Sequence, residues 1–438
     1  MAPASRPAIN TMESLMATTN STSSGDNTAL TPLPTAERLF GMREHAGLWF
    51  SLGVGLLVMQ IGAYLVPALG FQSALMMIVL GSLLGAGLLA WTAKIGCDSG
   101  LSSAGLMHAT YGSSFARLPV LLNIVQLVGW TSFELVVMRD GTVAMARQSG
   151  GFAPDYWPLL ATLLWGGVLL ALMAGSMVTL VRKFIGRYGL PLVVASLLWL
   201  TWQFLSKANA QGFAELGNKP GNGTMGMLSA LDLVIAMPVS WLPLVADFSR
   251  HGREGKSALR GTWLGYAIAN IWCYSLGVLV ALTTPSADLV GALLLAQGGL
   301  IALGLILIDE VDNAYGDVYS GAVASHSIKP GLSVRQWGMG MAVVCTGLAT
   351  VLPMHSLEPF LLMLSSVFVP LYGVILGRLG GVANVPAMVS ERKVNGTAVA
   401  IWFAGIACYH LCAQLAPSLG AALPSLALTY ALARASRP

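Results

Sequence analysis

From His45 onward the chain is a succession of apolar runs, each close to the roughly 20 residues that a helix needs to cross a bilayer of about 30 Å. Twelve are legible, at about 46–69, 71–93, 119–145, 156–180, 188–206, 228–249, 260–283, 298–322, 335–353, 358–379, 398–416 and 420–433. Only 10% of the 438 residues are charged and 55% are hydrophobic, against roughly 25% charged in soluble domains. That leaves too little charge to coat two or three soluble domains, so the solvent for most of the chain is lipid. The expected class is an all-α integral membrane protein with about twelve transmembrane helices. Residues 1–40, rich in Ser, Thr, Ala and Pro, read as a disordered cytoplasmic tail.

With the N-terminus inside, Arg147, Lys207 and Lys219 fall outside and Arg139 within the third run, and the rest of the 23 Lys and Arg lie on the cytoplasmic side. This asymmetry sets the orientation, with both termini cytoplasmic. Arg182, Lys183 and Arg187, and Arg250, Arg253, Lys256 and Arg260, are topological anchors. The net charge of +4 is small and scattered, which speaks against a nucleic-acid partner. Cys97, Cys273, Cys345, Cys408 and Cys412 lack disulfide-framework or zinc spacing and read as packing residues. The segment 286–297 is too short to cross and reads as a re-entrant or interfacial helix.

Two runs break the rule that a helix in lipid must satisfy its own backbone. The first carries Ser51-Leu52-Gly53-Val54-Gly55, and the sixth carries Ala236-Met237-Pro238-Val239-Ser240-Trp241. Paired Gly/Pro interruptions in corresponding segments of two halves point to a transporter site near the midplane of an inverted repeat. The eighth run holds Asp309, Glu310, Asp312 and Asp317. Facing lipid, these would cost on the order of 10 kcal/mol, so some must face water, a cation or a partner. Asp309, Asp312 or Asn313, Gly316 or Asp317, and Ser320 fall along one helical face, which can line a pathway. In the third run Trp130 and Glu134 lie one turn apart. An indole beside a carboxylate suits a flat, nitrogen-rich ring that stacks on the one and donates N–H groups to the other. Trp241 supplies a candidate for the opposite face.

These segments resemble the nucleobase:cation symporter-1 family, and within it the hydroxymethylpyrimidine permease branch. The resemblance is carried by Leu48 to Gly55, Gly129-Trp130 to Glu134, Pro238-Val239-Ser240-Trp241 with Asp247 to Arg250, and Asp312-Asn313 to Ser320. It implies the LeuT-like fold, ten core helices in two inverted five-helix repeats with helices 1 and 6 interrupted. The core would span 41–380 (repeats about 41–206 and 228–380), and two accessory helices would occupy 381–438. By the same resemblance Trp130 and Trp241 sandwich the heterocycle, and Ser240 contacts it through the backbone. Glu134 stands where the related hydantoin transporter has Gln, Asp317 where it has Asn, and Gly55 where it has another Gln. The implied pocket is roomier at Gly55 and more acidic, with Asn313 beside it. The implied cation site takes carbonyls of Ser51, Val54 and Ile308 with the side-chain positions of Val311 and Asp312. Since one hydroxyl ligand of the family is lost here and another is replaced by a carboxylate, the coupling ion is Na⁺ or H⁺.

The function implied is secondary active uptake of hydroxymethylpyrimidine or a related aminopyrimidine by alternating access in a bacterial-type inner membrane. Cytosine, purine or allantoin permeases of the family, and amino-acid or amine symporters of the fold, are the alternatives. No cofactor is needed, the partners are the substrate and the bilayer, and the oligomeric state is left open, a monomer being sufficient. An intramembrane enzyme is disfavoured, since no His-Glu-Xaa-Xaa-His motif or Ser/His dyad is suitably placed.

Overall fold

The computed structural model describes residues 28–150, 154–175, 188–285, 288–351, 357–389 and 392–437. Helices α1 (Met42–Ser51) and α2 (Leu56–Leu69) form the first span and α3 (Phe71–Ser99) the second, followed by the short α4 (Ser103–Tyr111). Next come α5 (Arg117–Gly150), α6 (Trp157–Met173), α7 (Leu190–Ala210) and the short α8 (Phe213–Asn218). The second half holds α9 (Met227–Ser240) with α10 (Leu242–Ser249), α11 (Gly255–Thr283), the short α12 (Leu289–Leu294), α13 (Gly299–Ile328), α14 (Val334–Val351) and α15 (Leu357–Leu379). Helices α16 (Gly396–Leu415) and α17 (Ala422–Ala435) complete the chain.

Seven helices among the described residues are long and apolar enough to cross a bilayer, and the bent pair α1 and α2 makes an eighth. The other four expected spans are helices α6, α13, α14 and α17. Of these, α13 is set apart by its acids, and α6 and α17 by their length. The segment expected to be re-entrant contains α12, whose N-cap Asp288 accepts from the Gly291 N–H at 2.8 Å. The cluster at Arg182, Lys183 and Arg187 lies outside the described residues.

The packing obeys a five-span repeat. Span one packs on span seven (α1 and α2 on α11), and span two on span six (α3 on α9). Exchanging each span for the one five places away converts the first pair into the second. The same exchange leaves spans three and eight (α5 and α13) and four and nine (α6 and α14) paired as they are.

Small residues at four-residue spacing make these contacts possible. On α11 an added Cβ at Gly261 would lie 2.5 Å from the Met42 carbonyl oxygen, at Gly265 2.2 Å from that of Ala46, and at Gly277 1.9 Å from that of Met59. One ridge of α11 thus holds both halves of the bent first span at backbone contact, the small-residue packing that replaces the hydrophobic drive in lipid. On α3, Gly81 and Gly85 face Val234 and Pro238 of α9 in the same way, at 2.6 and 2.2 Å. Accessory helix α17 uses the pattern too, with Thr429 and Ala433 against Gly373 and Gly377 of α15. Burial grades outward from this core. The most apolar stretch of Met227–Ser249 is 89% buried, whereas those of α7 and α16 are 28% buried and present apolar side chains to lipid.

The two interruptions differ in size. Span one bends by 62° between Ser51 and Leu56. Span six stays a single span from Met227 to Ser249, nicked only at Trp241, whose backbone (φ −84°, ψ −13°) remains near-helical. Pro238 and Pro243 remove the N–H donors of the Val234 and Val239 carbonyls; the first is recovered from a neighbouring span and the second accepts from the Trp241 N–H. Tyr274 Oη donates to the Val234 carbonyl (3.3 Å), Asn123 Nδ2 to that of Pro243 (2.9 Å), and Gln126 Nε2 to that of Ser240 (3.4 Å). With its carbonyls satisfied from the side, span six has no need to unwind.

Part of the segment read as a disordered tail is packed. Phe40 is fully buried and its N–H donates to the His251 carbonyl at 2.9 Å. Arg38 Nη1 donates to the Cys97 carbonyl at 3.1 Å, near the C-terminus of α3. A basic side chain near a helix C-terminus and a buried aromatic ring hold the segment, so residues 28–40, expected from composition to be disordered, are packed on the bundle.

Candidate functional site

Where span one bends, four residues leave the helix. The Leu52 N–H still reaches Leu48, and those of Gly53 and Val54 turn back to Phe50 and Ser51. Gly55 is extended, and α2 starts afresh at Leu56. The bend therefore presents a carbonyl from its first half and backbone N–H donors from its second, with α13 crossing beside both. The Val54 carbonyl accepts from Asn313 Nδ2 at 3.2 Å, and the Leu56 N–H donates to Glu310 Oε1 at 2.5 Å. Ser51 Oγ donates to Asp309 Oδ1 at 2.7 Å and lies 3.3 Å from Asp312 Oδ2.

Beside the bend is a small, narrow cavity. Its walls include Trp130 and Glu134 from α5, Ser240 and Trp241 from span six, Gly55 from span one, and Glu310, Asn313 and Asp317 from α13. All seven residues predicted to contact substrate thus line one cavity. Trp130 and Trp241 are 5% and 8% exposed. Each indole is braced by an aromatic neighbour at its edge, Trp130 by Phe360 (5.2 Å between centroids, 69°) and Trp241 by Trp49 (6.0 Å, 86°). Trp130 Nε1, Glu134 Oε2 and Asn313 Oδ1 are buried without a hydrogen-bond partner. Buried polar atoms are nearly always paired, so these three mark donor and acceptor positions that a ligand can complete.

The predicted ion ligands Ser51, Val54, Val311 and Asp312 lie on the bend and on the α13 segment crossing it. The Val54 carbonyl is engaged by Asn313. Ile308 turns its side chain out of the bundle, 48% exposed, leaving only its carbonyl for the role expected of it. Among the described residues no group of three or more His, Cys, Asp or Glu is arranged to hold a metal ion.

Two acids visible in the sequence were not assigned to the site. Asp309 shares Ser51 with Asp312, and its Oδ2 is buried and unpartnered. Glu310 occupies the space expected to be open beside Gly55. A Cβ on Gly55 would lie 3.1 Å from Glu310 Oε1, so the expected roominess is corrected: a carboxylate from span eight fills it. A single helical face placed Glu310 off the pathway. In the bundle Asp309, Glu310, Asp312, Asn313 and Asp317 are all 5% exposed or less, because α13 is covered on several sides. Phe360 was also missed, as nothing local in the sequence sets it apart from other apolar residues of its span.

The profile of a family described as permeases for cytosine/purines, uracil, thiamine and allantoin matches residues 32–432. Among solved structures, the chain is similar to Mhp1, a nucleobase-cation-symport-1 family transporter, closed with bromovinylhydantoin bound (TM-score 0.80, 15% identity, 94% of this chain and 95% of that one). Inward-facing Mhp1 is also similar (0.73, 17%, 94% and 92%), as is an outward-open Na⁺-coupled sialic acid symporter (0.62, 11%, 91% and 89%). At these identities the likeness carries the fold, the LeuT-like architecture of a multi-pass membrane protein. No curated protein matches the chain in sequence.

Proposed function

Because the chain belongs to the nucleobase:cation symporter-1 family, the permeases for cytosine/purines, uracil, thiamine and allantoin, we propose that it imports an aminopyrimidine, hydroxymethylpyrimidine first and cytosine second. The observation that carries this reading is the set of unpartnered atoms Trp130 Nε1, Glu134 Oε2 and Asn313 Oδ1 around one cavity. Two acceptors and one donor complement a ring bearing an amino group and an acceptor nitrogen. Trp130 and Trp241 give its faces something to stack on, and Glu134 and Asp317 receive its N–H groups, the acidic replacements favouring a donor-rich ring over an acceptor-rich one.

Transport follows by alternating access, one helix bundle rocking against the other around the cavity. The coupling ion, Na⁺ or H⁺, binds where Asp312 and Asp309 face the bend of span one, next to the substrate. Binding energy at the two positions is then linked through Asn313, which joins the Val54 carbonyl to the Glu310 carboxylate (3.2 and 3.1 Å). The protein works in a bacterial-type inner membrane with both termini cytoplasmic, as the distribution of Lys and Arg supports.

The test is a thermal-shift panel of pyrimidines and purines on purified protein with Na⁺ and pH varied, since a ligand that binds the native state raises its stability. Aminopyrimidines are expected to give the largest shifts, and a panel in which only purines or amino acids shift the protein rejects the reading. Glu134→Gln is expected to weaken aminopyrimidine binding at least about tenfold, the loss of about 1.4 kcal/mol for a charge-assisted bond, with expression unchanged. Unaltered affinity in that variant removes Glu134 from the pocket.

A further inference from the structure

The ionisable residues on the cavity wall are Glu134, Glu310 and Asp317, and no Lys, Arg or His joins them among the described residues. Besides the lone Trp130 N–H, an acidic group on a ligand has a complement at the N-terminus of α2, where the helix dipole and backbone N–H groups favour negative charge. The first N–H at that position is already taken from within. Glu310 Oε1 accepts from the Leu56 N–H at 2.5 Å, and its other oxygen accepts from Asn313 Nδ2 at 3.1 Å. Gly55 permits the approach, since a side chain there would press on Oε1 at 3.1 Å. Asn313, 5% exposed, lines the same cavity and keeps its Oδ1 without a partner.

We propose that Glu310 is a specificity-determining residue that makes this cavity reject heterocycles bearing a carboxylate, by occupying the half-helix N-terminus where such a group would bind. The inference rests on reading the cavity as the substrate site. A second acid group placed at this pole would meet the oxygens of Glu310 and no basic side chain. A neutral or cationic ring gains from the same arrangement, because the acids that remain open to it are acceptors. Glu310 acts here through the negative charge it holds at that place, and Asn313 keeps it there.

The test uses purified full-length protein and two ligands of similar size, 5-hydroxymethylcytosine and 5-carboxycytosine, which differ in the charge of one substituent. Isothermal titration of the wild type is expected to favour the neutral ring at least about tenfold. In Glu310→Ala, which frees the Leu56 N–H and removes the acid, 5-carboxycytosine is expected to gain at least about tenfold while the neutral ring changes less. Glu310→Gln keeps the volume and is measured alongside, so that a folding defect in the alanine variant does not stop the test; it is expected to gain in the same direction. The proposal is overturned if the wild type binds both rings equally, or if the folded variants reject the acid as strongly as the wild type does. Should the wild type bind neither ring, the reading of the cavity as an aminopyrimidine site fails, and Glu310 is still judged by whether its replacement lets 5-carboxycytosine bind.

Discussion

Asp312→Asn is expected to abolish accumulation of substrate against a gradient while sparing binding and exchange. Asp309 and Asp312 both approach Ser51 Oγ, at 2.7 and 3.3 Å, yet a hydroxyl has one proton to give. Asp309 Oδ2 is left with no partner, at 3% exposure for the residue. Two buried carboxylates with a single donor between them need a cation or a proton, since an uncompensated acid in the membrane costs roughly 2.5 to 3.5 kcal/mol even on the mildest scale. Moving one such charge with the substrate gains about 2.3 kcal/mol per 100 mV, enough for roughly 40- to 50-fold accumulation. Asparagine keeps the shape and the hydrogen bond but binds neither H⁺ nor, with its charge gone, a hard cation at comparable strength. In proteoliposomes with an imposed potential and a Na⁺ or pH gradient, the accumulation ratio of the variant should fall to about one, whereas counterflow exchange persists. Full accumulation by Asp312→Asn places the coupling ion elsewhere, and Asp309→Asn, measured in parallel, shows whether its neighbour holds it.

The second large effect is expected at a glycine far in sequence from the bend it supports. In Gly277→Leu the first added carbon would fall 1.9 Å from the Met59 carbonyl oxygen and 2.7 Å from its carbon. Backbone cannot give way as a side-chain tip does, so α2 and α11 must part. The reciprocal contact, Gly62 with a Cβ position 2.1 Å from the Tyr274 carbonyl oxygen, is lost with it. Overpacking a core costs about 1 to 3 kcal/mol where side chains can adjust, and this site lies at or above the top of that range. The expected result is loss of the monodisperse peak of detergent-extracted protein. Gly87→Leu on α3, where an added Cβ meets nothing within 4 Å, serves as the control and should behave as wild type. A monodisperse, ligand-binding Gly277→Leu protein would show that the α2–α11 contact does not hold the bend.

Much of the architecture was legible along the chain because lipid imposes its demands locally. Every span must satisfy its own backbone, so the lengths of the apolar runs marked the spans, and Gly53, Gly55 and Pro238 marked where the rule is broken. The acids of span eight announced a polar interior for the same reason. Less legible was the extent of each break. Gly53 and Gly55 accompany a true bend, yet Pro238 and Pro243 produce only a nick, because Tyr274 reaches across to the Val234 carbonyl that Pro238 leaves open, while Asn123 and Gln126 donate to the Pro243 and Ser240 carbonyls beside the nick. A helical wheel also misplaced Glu310, since it assumes one buried face and α13 is covered on several.

Composition and run length, then, determined by themselves that this is a lipid-embedded helical bundle, and local pattern marked Trp130, Glu134, Trp241 and Asp317 as candidates for one site. Only the tertiary structure decided that Glu310 occupies the N-terminus of α2, that Asp309 and Asp312 share Ser51, and that one glycine ridge on α11 carries both halves of span one. The reason is separation: Ser51 and Asp309 stand 258 residues apart. A contact over that distance depends on how closely two helices approach, which small residues permit but do not specify.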